Sequence, residues 1–215
     1  VMTGFGERAG TLQARLDRAA EPHSGQSPLG PRPDGQIGVR FVDLTDRETY
    51  LTYEEMRRRA LVVAAALRRR GIEAGQRVAL ILPTAPSFFD AFFGTLYAGA
   101  VPVPLYPPVR LGRLDEYHQR TVAMLAAVQA QMVLTDKRIR RILGPTAEGA
   151  ELPRGVVAME SLGAASPARP DTEVAPLHEA RADEAAFIQF SSGTIAAPKP
   201  TRLTRRQVLA NADRI

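Results

Sequence analysis

Apolar runs and amphipathic stretches alternate along most of the chain, and this alternation predicts strands followed by helices. Residues 78–82 form a continuous apolar run between Arg77 and Pro83, as expected of a strand that is buried on both faces of a parallel sheet. Three further short apolar runs are typical of strands, at residues 101–105, 132–135 and 156–159. The first of these three contains Pro102 and Pro104, which place it near a sheet edge.

Helical periodicity and capping residues predict the helices between these strands. Residues 52–70 carry the clearest signal, because Thr52 and Glu55 have the spacing of a capping box and Gly71 is suited to end the helix. Further helices are predicted at residues 86–98, 113–130 and 137–143, and a hairpin at residues 37–51 precedes them all. Strands and helices that alternate in this way indicate an α/β fold with a mainly parallel βαβ sheet layered with helices.

Two segments lie outside the regular alternation. Residues 1–36 are predicted to form an N-terminal helix, at 11–21, and a loop rich in Pro, Gly and Ser. Residues 37–215 are predicted to form one α/β unit, within which residues 163–183 lack periodicity and make an irregular surface connection. A predicted helix still continues at Ile215, so we expect the chain to be the N-terminal piece of a longer protein.

Composition is that of a globular protein and excludes several kinds of site. Apolar residues make up 45% of the chain and charged residues 24%. The absence of cysteine excludes disulfides, thiolate catalysis and zinc sites built on cysteine. The three histidines, His23, His118 and His178, lack the spacing of metal ligands, and we predict no metal-binding side chains.

The net charge of +5 comes from arginine and does not indicate nucleic-acid binding. The arginines at 57–59 and 68–70 lie in one predicted helix without interleaved aromatic residues, which favours a solvated helix face. No apolar run reaches the ~18 residues of a transmembrane helix. The first residues lack the pattern of a signal peptide, so we expect a cytoplasmic protein.

The stretch with the most chemical information is the loop at residues 191–199. An apolar strand at residues 186–190 ends at Ser191 and Ser192, small and hydroxyl residues follow, and Lys199 comes last. Small side chains let the backbone approach a ligand, hydroxyl and N–H groups donate hydrogen bonds, and a lysine supplies a mobile point charge. The pattern favours phosphate binding, and the alternative is a plain turn with local hydroxyl hydrogen bonds.

The flanks of this loop refine the prediction. Residues 203–207 after it are predicted to open a helix, with Thr204 as its cap and Gln207 at the spacing of a capping box. Among the 28 basic residues only Lys137 and Lys199 are lysine, which strengthens the case for a special role of Lys199. A Walker A loop is excluded, because Pro198 and Pro200 flank the lysine where that motif needs Gly and Ser or Thr.

Several motifs resemble those of the adenylate-forming superfamily of acid-activating ligases. Ser191-Ser192-Gly193-Thr194 with Pro198-Lys199 resembles its signature loop, and four downstream residues keep much of the pattern: Leu203, Thr204, Arg206 and Asn211. Within the superfamily, residues 187–194 and 96–108 are most similar to the fatty acyl-AMP ligases. The resemblance extends from about Phe41 to Ile215.

This resemblance implies a fold, a reaction and a set of site residues. The chain would be the N-terminal portion of the large domain of an enzyme that uses ATP and Mg²⁺ to convert a fatty acid into acyl-adenylate and pyrophosphate. The acyl group would then pass to an acyl carrier protein of a polyketide or nonribosomal synthase. Four residues would form the β,γ-phosphate cradle, namely Ser191, Ser192, Gly193 and Thr194, and Lys199 would be the catalytic charge.

The resemblance also places some of the site outside this chain. The residues for adenine, ribose and the acyl tunnel would lie beyond Ile215, so the isolated chain is expected to be inactive.

The loop departs from the superfamily pattern at four positions, and these departures leave alternatives open. Ile195 replaces a hydroxyl residue, Ala196 and Pro200 replace glycines, and Arg205 replaces the usual histidine. One alternative is an acyl-CoA or aminoacyl synthetase of the same superfamily, and another is a non-catalytic member that docks a carrier protein. Arg205 and Arg206 are expected to be first-turn surface charges or, because arginine opposes the helix dipole there, to attract an anion.

Overall fold

A computed structural model describes residues 11–21, 37–43, 45–108, 113–163, 180–191 and 198–213. The helices are α1 (Leu12–Ala20), α2 (Tyr53–Arg69), α3 (Pro86–Tyr97), α4 (Leu114–Ala127), α5 (Lys137–Ile142), α6 (Gly144–Gly149) and α7 (Arg205–Ala212), with a 3₁₀-helix at Met159–Leu162. The strands are β1 (Gly38–Val42), β2 (Glu48–Thr52), β3 (Arg77–Ile81), β4 (Val101–Leu105), β5 (Met132–Thr135), β6 (Val156–Ala158), β7 (Ala185–Phe190) and β8 (Pro200–Thr204). The irregular connection predicted at 163–183 lies largely outside the described residues.

A four-stranded parallel sheet in the order β4-β3-β5-β6 confirms the α/β prediction. Its central strand β3 is covered on both faces, which explains its continuous apolar run. Val78 and Leu80 belong to one hydrophobic core, and Ala79 and Ile81 belong to the other. Strand β4, which contains both prolines, lies at an edge of this sheet, as its sequence predicts.

The helices α2 and α3 form the layer over the first of these cores. Their closest approach is at Gly94, where an added Cβ atom would lie 2.5 Å from the Val63 Cβ and 3.0 Å from the Ala60 carbonyl oxygen. A buried ion pair also joins the helices, because Arg59 donates two hydrogen bonds to the fully buried Asp90 carboxylate. Close packing at Gly94 and the Arg59–Asp90 ion pair therefore both hold α2 against α3.

Helix α2 begins and ends as the sequence predicts, with one difference at its start. The Thr52 hydroxyl accepts a hydrogen bond from the Glu55 N–H at 3.0 Å, and Gly71 follows the helix with a φ of 76°. The Glu55 carboxylate, however, accepts from the guanidinium of Arg58, one turn along the helix. An arginine within reach competes for this carboxylate, since a charged donor binds it more strongly than a backbone N–H.

The N-terminal part of the chain adds one helix and one hairpin to this framework. Helix α1 has Thr11 as its N-cap and buries Leu16 in the core beneath α2 and α3. Strands β1 and β2 pair in antiparallel fashion directly before α2, which confirms the predicted hairpin. None of the helices in the described ranges is long and apolar enough to cross a membrane.

We predict that Gly94→Ala lowers the free energy of unfolding by about 1–3 kcal/mol, because overpacking forces α2 and α3 apart. This loss outweighs the gain of up to about 1 kcal/mol that alanine brings to a helix. Gly144→Ala is the matched control, since its added Cβ meets no atom of another part of the chain within 4 Å. Urea denaturation of both variants checks the prediction, and equal midpoints would contradict it.

Candidate phosphate-binding site

The two ends of the loop at residues 191–199 meet at the tip of an antiparallel hairpin. Strands β7 and β8 pair from Ala185 with Thr204 to Phe190 with Pro200. The Ser191 N–H then donates to the Lys199 carbonyl oxygen at 3.2 Å, which closes the loop at its base. Both residues are exposed. The hairpin therefore holds a hydroxyl residue and a cation side by side at the sheet end.

Two of the five predicted site residues belong to the described part of the chain. Ser192, Gly193 and Thr194 lie outside the described residues, as do the departures Ile195 and Ala196. Ser191 and Lys199 are thus the predicted site residues that the structure brings together.

Strand β8, which was not predicted from the sequence, separates the loop from the predicted helix. Lys199 leads into β8, and α7 begins only at Arg205. The first three residues of β8 are exposed, so their sequence lacks the alternation of apolar and polar residues that marks a half-buried strand. Pro200, which has no N–H, opens the strand at a position where proline is tolerated.

The start of α7 follows the sequence prediction. The Thr204 hydroxyl accepts from the Gln207 N–H at 3.3 Å, and the Gln207 side chain accepts from the Thr204 N–H at 2.8 Å. This reciprocal capping box defines where β8 ends and the helix begins.

Backbone hydrogen bonds continue past the ends of the two strands at the base of the hairpin. The N–H groups of Arg205 and Arg206 donate to the carbonyl oxygens of Glu184 and Ala182, which precede β7, each at 3.0 Å.

Strand β7 packs next to β4, contacts α3 on one side and packs against the second hydrophobic core on the other. The Phe187 ring lies edge-on to that of Phe92 in α3, whereas Ile188 and Phe190 pack against the opposite core. The hairpin is therefore anchored on both sides of the parallel sheet.

Arg205 differs from the prediction of a surface charge, whereas Arg206 is exposed as expected. The Arg205 side chain is 1% exposed, contacts the Glu184 carboxylate at 3.5 Å and donates to the Gln13 side chain of α1 at 2.5 Å. Burial lowers the pKa of Arg205, and the Glu184 charge opposes this shift. One feature of the sequence indicated that Arg205 is not a simple surface charge. It occupies the first turn of a helix, where a solvated cation is unfavourable.

Comparison with known proteins shows the family. The sequence profile described as "AMP-binding enzyme" matches residues 35–215. The chain belongs to this family. The resemblance to the adenylate-forming superfamily is thereby confirmed.

The relatives include several acid-activating ligases. A medium-chain-fatty-acid–[acyl-carrier-protein] ligase, JamA, of Moorena producens is 30% identical over 74% of this chain and 26% of its own length. The long-chain-fatty-acid–AMP ligase FadD23 of Mycobacterium tuberculosis is 30% identical over 75% of the chain and 26% of its length. A 4-coumarate–CoA ligase of Oryza sativa is 30% identical over 85% of this chain and 31% of its own length.

Solved structures show the same fold. A protein from a study of the fatty acyl-adenylate ligases of E. coli and L. pneumophila aligns with a TM-score of 0.77 at 28% identity. The alignment covers 94% of this chain and 33% of that protein. An L. pneumophila fatty acyl-adenylate ligase in complex with acyl adenylate and pyrophosphate aligns with a TM-score of 0.73 at 24% identity. The chain spans about a quarter to a third of the length of these proteins.

We predict that Thr204→Ala lowers the free energy of unfolding by about 1 kcal/mol, because the helix loses its N-cap acceptor. Thr204→Ser is the matched control, since it keeps the hydroxyl and the capping box. Thermal unfolding of the two variants checks this, and an equal loss in both would assign the effect to the methyl group of Thr204.

Proposed function

We propose that the protein containing this chain is a fatty acyl-AMP ligase, which converts a fatty acid and ATP into acyl-adenylate and pyrophosphate. The proposal rests mainly on one observation. The β7–β8 hairpin holds Ser191 and exposed Lys199 at the two ends of a loop that carries the motifs of adenylate-forming enzymes. The fatty acyl-AMP ligases among the relatives and solved structures support the choice of substrate class.

In the proposed reaction a carboxylate oxygen of the fatty acid attacks the α-phosphorus of ATP. A bond forms between these two atoms, and the bond from the α-phosphorus to the bridging oxygen breaks. Pyrophosphate leaves with the electron pair, and no proton is transferred in this step. The demand on the protein is therefore to orient the phosphates and to neutralise the charge on the leaving group.

The roles of the loop follow from this demand. Lys199 is exposed and directly precedes β8, and it is proposed to serve as the cation next to the departing pyrophosphate. Ser191, Ser192, Gly193 and Thr194 are proposed to donate hydrogen bonds to the β- and γ-phosphates. Mg²⁺ binds largely through substrate phosphates and water in such sites, and it supplies further positive charge when bound.

The acceptor of the acyl group is the second part of the proposal. We propose transfer to the phosphopantetheine thiol of an acyl carrier protein, with release of AMP. The acyl-carrier-protein ligase among the relatives supports this, whereas the 4-coumarate–CoA ligase favours coenzyme A as the alternative acceptor. Supplying the full-length protein with either thiol distinguishes the two, because each gives a different thioester.

We predict that the full-length protein catalyses ATP–pyrophosphate exchange that depends on a fatty acid, and that Lys199→Ala reduces its rate about 100-fold or more. Loss of one charged donor to a developing anion typically has an effect of this order. Lys137→Ala is the control, because Lys137 is exposed at the start of α5 and far along the chain from the loop. It should leave the rate unchanged.

Other results of this exchange experiment would contradict the proposal. Exchange with amino acids alone would point to an aminoacyl synthetase. No exchange with any acid, together with binding of a carrier protein, would favour the non-catalytic docking alternative that Ile195, Ala196 and Pro200 suggest.

A further inference from the structure

Helix α1 lies outside the residues that match the family, yet it contacts the base of the loop hairpin. The family profile begins at residue 35, whereas Gln13 lies in α1 and is 6% exposed. Its side-chain amide donates to the Leu96 carbonyl oxygen at 2.9 Å. Its side-chain oxygen accepts from Arg205 Nη1 at 2.5 Å. One glutamine thus connects the end of α3 with the start of α7.

Arg205 carries this connection into the hairpin. Its N–H bonds to the Glu184 carbonyl oxygen, and its Nη2 atom lies 3.5 Å from the Glu184 carboxylate. Glu184 directly precedes β7, so the main chain and the side chain of Arg205 both contact the residue at the start of this strand. Within the described part of the chain the Arg205 Nε atom has no hydrogen-bond partner. The buried guanidinium therefore depends strongly on the two partners that it has.

Helix α1 is itself fixed to the helical layer. The Asp17 carboxylate accepts from Arg57 of α2 and from the Tyr97 hydroxyl of α3, both at 2.6 Å. Burial raises the pKa of Tyr97, so this hydroxyl stays protonated and remains a donor. Leu16, next to Asp17, is buried in the core. These contacts hold α1 in place, and α1 in turn holds the Gln13 side-chain oxygen next to Arg205.

The distance along the chain from this contact to Lys199 is short. Only β8, five residues long, separates Lys199 from Arg205, and β8 is paired with β7 throughout. A shift of Arg205 relative to α1 would move both strand ends, and with them the lysine. We propose that α1 positions Lys199 at the end of the loop, with Gln13 acting on it through Arg205. This inference rests on the proposed phosphate role of Lys199.

The test compares variants of the full-length protein in ATP–pyrophosphate exchange. Gln13→Met keeps the side-chain length but removes both the acceptor for Arg205 and the donor to the Leu96 carbonyl oxygen. We expect the KM for ATP to rise about tenfold while the KM for the fatty acid stays unchanged. A small displacement of a positioning group can produce an effect of this size. Arg15→Ala is the control on the same helix, because its ion pair with Asp213 is about half exposed and should contribute little.

A second pair of variants separates positioning from loss of stability. Thr146→Val removes a buried hydrogen bond to His118, far along the chain from the hairpin, and should lower the unfolding midpoint without raising the KM for ATP. The double variant Gln13→Met/Arg205→Met leaves no unpaired guanidinium, so it should regain much of the unfolding midpoint that Gln13→Met loses. Its KM for ATP should stay raised. It also keeps the test decidable if Gln13→Met alone folds poorly.

The possible outcomes assign any failure to one claim. If no fatty acid supports exchange, the proposed function fails. If exchange depends on a fatty acid but Lys199→Ala leaves it unchanged, the phosphate role of Lys199 fails, and this inference fails with it. If Lys199→Ala abolishes exchange while Gln13→Met leaves the KM for ATP unchanged, the positioning role of α1 alone is overturned. The same conclusion follows if the KM for ATP in all these variants tracks the unfolding midpoint, since Gln13 would then be a structural residue only.

Discussion

Antiparallel pairing of β7 with β8 is the constraint on which the candidate site depends. A lysine on a free loop would spend most of its time away from a bound phosphate, and ordering it would oppose binding. Here the hydrogen bond between Ser191 and Lys199 ends a ladder that begins at the Arg205 N–H and has one register shift, between Ala185 and Phe187. The entropy of ordering the loop ends is therefore lost on folding, before any ligand binds.

Several of the many arginines link the helices of this fold. Arg57, Arg59 and Arg205 each reach a partner on another element, and together they connect α1, α2, α3 and α7. Their planar guanidinium groups suit fixed contacts of this kind, whereas the flexible ammonium group of lysine suits an exposed point charge. These two chemistries explain why arginines link the helices, whereas a lysine occupies the exposed position at the end of the loop.

The sequence predicted those parts of the fold in which one physical signal dominates. The doubly buried run at 78–82 became β3, and the Thr204–Gln207 capping box formed as its spacing required. Strand β8 was missed because its first three residues are exposed, so this short strand has no alternating burial pattern. The buried role of Arg205 was missed because its partner Gln13 lies 192 residues away, and no local pattern encodes such a contact. Ser191 and Lys199 were predicted to belong to one loop. The pairing of β7 with β8, which brings them together, was not predicted.

The central claim is that Lys199 contacts the phosphates of ATP. The most direct measurement is residue-resolved labelling of lysine amines by mass spectrometry, in the full-length protein with and without Mg²⁺–ATP. Both Lys137 and Lys199 are exposed, so each should react in the absence of nucleotide. The account predicts that ATP and pyrophosphate protect Lys199 while Lys137 reacts as before. Unchanged labelling of Lys199 at saturating ATP would contradict it.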